Sequence, residues 1–139
     1  MTATRVAFDA RLVAAARTAR ARAYAPYSHY RVGAAIMTRG GRIYRGCNVE
    51  NASYGATICA ERAAATAMVT AGHHDPVACA VVTAGAEPAA PCGICRQVLA
   101  EFARDMRLLL VSEDEAGKQT GHKSVRLSAL LPFAFRLGD

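Results

Sequence analysis

Apolar positions along the chain switch between two periods, and the switches predict its elements. Phe8, Leu12, Ala15, Ala16, Ala19 and Ala23 recur at helical spacing. They predict a first helix over about Ala7–Ala23, ending near Tyr24-Ala25-Pro26. Arg31–Thr38 reads as a strand, Gly40-Gly41 as a tight turn and Arg42–Gly46 as the returning strand of a hairpin. Cys47–Ile58, rich in Asn, Ser, Tyr and Gly, reads as a loop. Cys59–Ala71 has helix composition, with Gly72 as its stop. Val77–Thr83 is a short apolar run with β-branched residues, hence a buried strand, followed by a loop over Ala84–Ala90. Pro91 suits the first turn of a helix that runs from Cys92 to about Arg104. Arg107–Val111 is a further buried strand. Glu113–Lys123 is polar and reads as a surface excursion, Ser124–Leu127 as a last strand and Ser128–Leu131 as a helical turn.

A helix, a hairpin and then strands alternating with helices predict an α/β fold, a three-layer α/β/α sandwich around a mixed sheet. The helices at Cys59 and Cys92 follow successive strands, so both can lie on one face with their N-termini at one edge. No repeat, low-complexity tract or linker divides the chain, and its 139 residues fit one domain over 1–139.

A hydrophobic content of 53% suffices for a core, yet no stretch reaches the ~18–20 uninterrupted apolar residues of a membrane span. Thr2–Tyr24 is Ala- and Arg-rich and nearly acid-free, as transit peptides are, but its apolar stripe makes a first helix the better reading. The net charge of +6 is unevenly placed. Residues 1–49 carry nine arginines and one aspartate, and residues 50–139 carry eight basic against ten acidic groups. The arginines are scattered and no aromatic-studded basic strand accompanies them, which favours a solvated helix face over a nucleic-acid partner. Five cysteines, an odd number, fit a reducing cytoplasm and thiolate chemistry better than a disulfide framework.

The chemistry concentrates in two blocks, Cys59-Ala60-Glu61-Arg62 and Pro91-Cys92-Gly93-Ile94-Cys95. Cys92 and Cys95 share one helix face, and a helix N-terminus favours thiolate over thiol. Three thiolates with one position left open describe a catalytic zinc site, one Zn²⁺ per chain, at which bound water acidifies to a pKa of about 7. Glu61, two residues beyond a ligand, is then placed to carry protons. Three thiolates against Zn²⁺ leave a net negative charge that would blunt the metal's acidifying power. Arg62 or Arg96, each one residue beyond a ligand, can compensate it. Cys47 and Cys79 lack a partner at ligand spacing and read as small core hydrophobes. None of the four histidines has ligand spacing.

A cysteine followed by x-Glu and then Pro-Cys-x-x-Cys is the pattern of zinc deaminases. The chain resembles the homotetrameric cytidine deaminases on more than this. The matching blocks are Tyr24-Ala25-Pro26-Tyr27-Ser28, Val32-Gly33-Ala34-Ala35, Gly46-Cys47-Asn48-Val49-Glu50-Asn51-Ala52-Ser53-Tyr54-Gly55, Cys59-Ala60-Glu61-Arg62, Pro91-Cys92-Gly93-Ile94-Cys95-Arg96-Gln97 and Leu130-Leu131-Pro132. The resemblance implies zinc on Cys59, Cys92 and Cys95, and Glu61 as the acid/base in hydrolysis of cytidine and deoxycytidine to uridine, deoxyuridine and ammonia, a step of pyrimidine salvage. It implies that Asn48 and Glu50 hold the ribose 3′-hydroxyl, within an Asn48-x-Glu50-Asn51 run suited to an ordinary ribose or deoxyribose. The Ala60 N–H would meet the pyrimidine O2. Ala52 and Tyr54 would reach a neighbouring subunit's substrate near its 5′-hydroxyl, and Phe135 would cover the neighbour's base. Active sites shared in a homotetramer follow from the same resemblance.

Two positions depart from the family pattern. Tyr30 stands where Phe is usual beside sugar and base, and Phe133 stands where a small residue is usual, a rival to Phe135. Three other readings compete: a deaminase of a cytosine-containing antibiotic, a nucleic-acid binder resting on the basic half, and a zinc-stabilised scaffold. The Asn48–Asn51 run argues against the first, the closed pocket capped by neighbouring subunits that a free-nucleoside enzyme wants against the second, and Glu61 against the third.

Overall fold

The computed structural model describes residues 3–138. Helix α1 (Ala3–Arg20) leads into strands β1 (Gly33–Thr38) and β2 (Ile43–Cys47), and a 3₁₀ turn at Tyr54–Ala56 precedes α2 (Ala60–Thr70). Then come β3 (Pro76–Ala84), α3 (Gly93–Phe102), β4 (Arg107–Glu113), β5 (Gln119–Arg126) and the short α4 (Leu127–Leu130). The strands form one sheet in the order β2-β1-β3-β4-β5. The pair β3–β4 is parallel, with Val82 opposite Val111, and the other three pairs are antiparallel. The expected mixed sheet with flanking helices is therefore present.

Alternation along the strands divides the core into two layers. Ala34, Ile36, Cys79, Val81, Leu108 and Leu110 pack with Ala60, Ala64, Met68 and Leu99 of α2 and α3. Ala35, Met37, Ala78, Ala80, Val82 and Val111 face the other way, onto Leu12 and Ala16 of α1. Small residues let the helices sit close. A Cβ on Gly33 would fall 2.0 Å from the Ala16 carbonyl of α1, and one on Gly46 would fall 2.3 Å from the Ala64 amide and 2.4 Å from the Ala60 carbonyl of α2. Gly46 thereby seats the first turn of α2 directly on β2.

The largest departure from the sequence reading is at 113–123. In place of a surface excursion, β4 extends to Glu113 and turns back at 114–118 into β5, which pairs along its length with β4. Glu113 is 2% exposed. Its carboxylate receives Arg17 Nε and, at 3.3 Å, Arg20 Nη1, tying α1 to the end of β4. The sequence carries no strand pattern there because β5 is an edge strand, Gln-Thr-Gly-His-Lys-Ser-Val-Arg, exposed at most positions. Helix α1 starts four residues before the expected Ala7 and stops three before Ala23. Pro91 precedes the N-cap of α3 and does not enter its first turn.

Candidate metal and catalytic centre

Two helix N-termini meet at the carboxyl end of β3. Cys59 is the N-cap of α2 and Cys92 the N-cap of α3, both with extended backbone and neither spending its side chain on a cap hydrogen bond. Cys95 lies three residues into α3 and is fully buried. Residues at N-cap and N3 converge in ordinary capping boxes, and here that geometry brings two sulfurs together. The three sulfurs lie within 4.8 Å of one another, with Cys59 and Cys92 Sγ at 3.8 Å. A tetrahedral zinc with ~2.3 Å bonds to sulfur needs sulfurs about 3.8 Å apart, so the donor set and its spacing fit zinc.

The surroundings favour the thiolate at Cys59. A hydrogen bond from the Cys95 thiol, with further help from Arg62, lowers Cys59 to about 5, while that same bond and burial push Cys95 up. Arg62 Nη2 bridges the Thr57 carbonyl at 3.1 Å and Cys59 Sγ at 3.6 Å. Arg96 instead donates to the Pro91 carbonyl at 2.8 Å and the Leu130 carbonyl at 2.9 Å, joining the ligand loop to α4. Of the two arginines left open by the sequence, Arg62 is thus the one that contacts a sulfur. Glu61, in the first turn of α2, is 5% exposed. Burial raises its carboxyl above the usual range, and its own backbone N–H partly offsets that.

Cys59, Glu61 and Cys92 open onto a pocket of about 210 Å³. Tyr30, Asn48, Cys59, Ala60, Glu61 and Cys92 all face it. The Asn48 amide brackets the adjacent wall, accepting from the Val32 N–H and donating to the Tyr30 carbonyl, each at 2.8 Å. Glu50, Asn51, Ala52, Tyr54 and Phe135 do not line the pocket of this chain. Glu50 accepts from the Tyr27 and Ser28 amides at 2.9 and 3.1 Å and from the Ser28 hydroxyl, and that hydroxyl chiefly lowers its pKa. Asn51 Oδ1 caps the Ser53 amide at 2.8 Å. Tyr54 is 79% exposed and meets Tyr27 edge-on at 6.3 Å, while Phe135 is 69% exposed and its carbonyl accepts from Gln97. Phe133 projects fully into solvent with φ of 56°.

Sequence reasoning missed part of the wall: Val32, Thr57, Ile58, Val81, Thr83 and the Ala89-Ala90 pair. Most are apolar or small and carry no chemical signature; Thr83 has a hydroxyl but sits in a run that reads only as strand. Outside the centre, Cys79 is fully buried and its thiol is pushed up by that burial. Cys47 is half-buried at the end of β2, its thiol 3.7 Å from the Arg22 carbonyl.

A family model described as "Cytidine and deoxycytidylate deaminase zinc-binding region" matches residues 7–111. The cytidine deaminase of Halalkalibacterium halodurans is 43% identical over 129 residues, 92% of this chain and 94% of that one. The crystal structure of cytidine deaminase from Burkholderia pseudomallei has a TM-score of 0.81 at 41% identity, covering 97% of this chain and 100% of that chain. That of Mycobacterium tuberculosis has a TM-score of 0.74 at 40% identity, covering 92% and 97%. Two helix N-termini that bring three cysteines together beside a pocket holding a buried glutamate are thus joined to likeness along nearly the whole chain, and the chain belongs to the zinc-binding cytidine and deoxycytidylate deaminase family.

Proposed function

We propose that the chain, as one domain, hydrolyses cytidine and deoxycytidine to uridine, deoxyuridine and ammonia. The observation that carries this reading is the buried Glu61 in one pocket with Cys59 and Cys92, whose sulfurs cluster with that of Cys95. Zinc held by those three sulfurs supplies Lewis acidity and a water of pKa about 7.

The chain's own residues do the rest. The Ala60 N–H, free at the start of α2, is available to the pyrimidine O2. Asn48 keeps unused amide capacity toward the sugar, and Glu50, although held by Ser28, retains lone pairs for a 3′-hydroxyl. Glu61, its carboxyl raised by burial, takes one proton from the attacking water and gives it to ring N3, then takes the remaining proton from the oxygen now on C4 and delivers it to the amine, which leaves as ammonia as the C4 carbonyl forms. Arg62 places positive charge on the most anionic sulfur and offsets the surplus negative charge of three thiolates. Arg96 fixes the loop that presents Cys92 and Cys95.

The remaining residues point outward, and this supports a homotetramer with shared sites. The pocket is smaller than the ~300–1,000 Å³ typical of ligand sites, so a nucleoside needs further walls. Tyr54, Phe133, Phe135 and Leu137 are exposed apolar side chains of the kind that mark an interface. In this reading Ala52 and Tyr54 approach a neighbour's sugar, and Asn51 shapes the turn that carries them. Phe135 covers a neighbour's base, while Tyr30 lines its own. None of the described helices is long and apolar enough to cross a membrane, and the proposed setting is cytoplasmic salvage of free nucleosides, without a nucleic-acid partner.

The test is ammonia and uridine formation by zinc-analysed protein, with Glu61→Gln beside it and the mass in solution measured. The expected result is turnover that falls about 10²–10⁴-fold in the variant, with zinc retained near one per chain. Near-normal turnover in Glu61→Gln would remove the role given to Glu61.

A further inference from the structure

One polar group in the pocket has no task in the reaction as described. Thr83, near the carboxyl end of β3, is 3% exposed, and its hydroxyl is buried without a hydrogen-bond partner. It lines the pocket with Glu61 and Cys92, on the same sheet face as Val81. Its strand neighbour on β4 is Ser112, whose hydroxyl is already engaged with the Thr120 hydroxyl at 2.9 Å and the Gly121 carbonyl at 3.5 Å. Buried hydroxyls are seldom left unpaired, because each then bears the cost of its desolvation. The adjoining wall is Ala89 and Ala90, which offer no side-chain polar atom, so the partner of this hydroxyl has to come from whatever fills the pocket.

We infer that the Thr83 hydroxyl is a substrate-binding and specificity-determining group that accepts a hydrogen bond from the exocyclic amine of the pyrimidine. The inference rests on the deaminase reading. The amine has two N–H groups, and beside a single glutamate that must also serve ring N3 and the water, Thr83 is the side-chain acceptor that this end of the wall offers. Thr83 stands where the strand feeds the loop into Cys92, which is the reacting end of the pocket. The opposite end, by Asn48 and Tyr30, is the sugar end. A threonine hydroxyl has two lone pairs for an amine and one proton for the rest of the network. Its place at the reacting end makes it a reader of the group that leaves.

The experiment compares Thr83→Val, which keeps the shape and removes the hydroxyl, with Thr83→Ser, which keeps the hydroxyl. Calorimetry on zinc-loaded Glu61→Gln protein, with and without Thr83→Val, measures affinity for cytidine and for pyrimidin-2-one riboside, which lacks the amine. Expected is about tenfold weaker cytidine binding with Thr83→Val, unchanged binding of the amine-free riboside, and restoration by Thr83→Ser. With Glu61 intact, kcat/KM for cytidine falls by a similar factor at unaltered zinc content. Unchanged cytidine affinity, or equal weakening of both ribosides, overturns the role of Thr83 and leaves the deaminase reading in place. Wild-type protein that binds cytidine but releases no ammonia overturns the deaminase reading, and the two affinities then still decide Thr83. Protein that binds no cytidine overturns both.

Discussion

At the scale of single residues, the centre owes its properties to what each side chain is denied. Cys59 and Cys92 stand at N-caps yet make no cap hydrogen bond, so their sulfurs stay available. Glu61 is denied solvent. Its folded pKa is raised, so the protonated form is preferred in the fold, and the associated stability is present below the ordinary carboxylate range and lost as pH rises through the raised value. Metal-free Glu61→Gln should therefore melt above metal-free wild type at neutral pH, and the gap should close toward about pH 4. Thermal melts of chelated protein across that range check the sign. Arg62 and Arg96 separate in the same way. Arg62→Ala should weaken zinc affinity and shift the pH–rate profile, because it removes the cation on Cys59. Arg96→Ala should leave the profile in place and lower the melting temperature, because it severs α3 from α4. An Arg96→Ala profile that shifts as far as that of Arg62→Ala would contradict this division.

At the scale of elements, the glycine at 46 decides where α2 starts. With backbone of that helix 2.3–2.4 Å from a would-be Cβ, no side chain can move aside. Gly46→Ala should cost at or above about 3 kcal/mol and push out the turn that carries Glu61, so zinc affinity falls with stability in denaturant titration. The elements were legible where burial imposes a period. The apolar runs of β3 and β4 and the stripe on α1 could be read because a layer packs on them. The edge strand β5 could not, since its alternation is between solvent and solvent. Glu113 was misplaced for a related reason: a glutamate in a polar run reads as surface, and only the tertiary meeting of α1 with β4 shows it as an anchor for Arg17 and Arg20. The clustering of Cys59, Cys92 and Cys95, and the place of Glu61 beside them, could be read from spacing, because the proposed chemistry dictates residue types. Thr83 was not, because a lone threonine in a β-branched run is ordinary strand composition.

At the scale of the whole molecule, part of the basic first half finds structural work. Arg17 and Arg20 converge on Glu113, and Asp9 of the same helix receives Arg107 of β4 at 2.8 and 3.1 Å. Those groups hold the first helix to the sheet and are not arrayed along one free stripe. Binding to single-stranded DNA at about 0.15 M salt should accordingly be undetectable in a gel-shift titration.

The metal ligands also lie far apart along the chain. Cys59 and Cys92 are 33 residues apart and belong to different helices. An ion that joins them acts as a reversible cross-link around the segment containing α2 and β3. By the loop-closure relation for a cross-link of that span, the tie is worth about 3–4 kcal/mol of unfolded-chain entropy. Chelation should then lower the melting temperature and open the loop before Cys59 to protease, with zinc restoring both. Endurance in the cell would follow the supply of free zinc, so that metal starvation shortens the lifetime of the chain as well as silencing it.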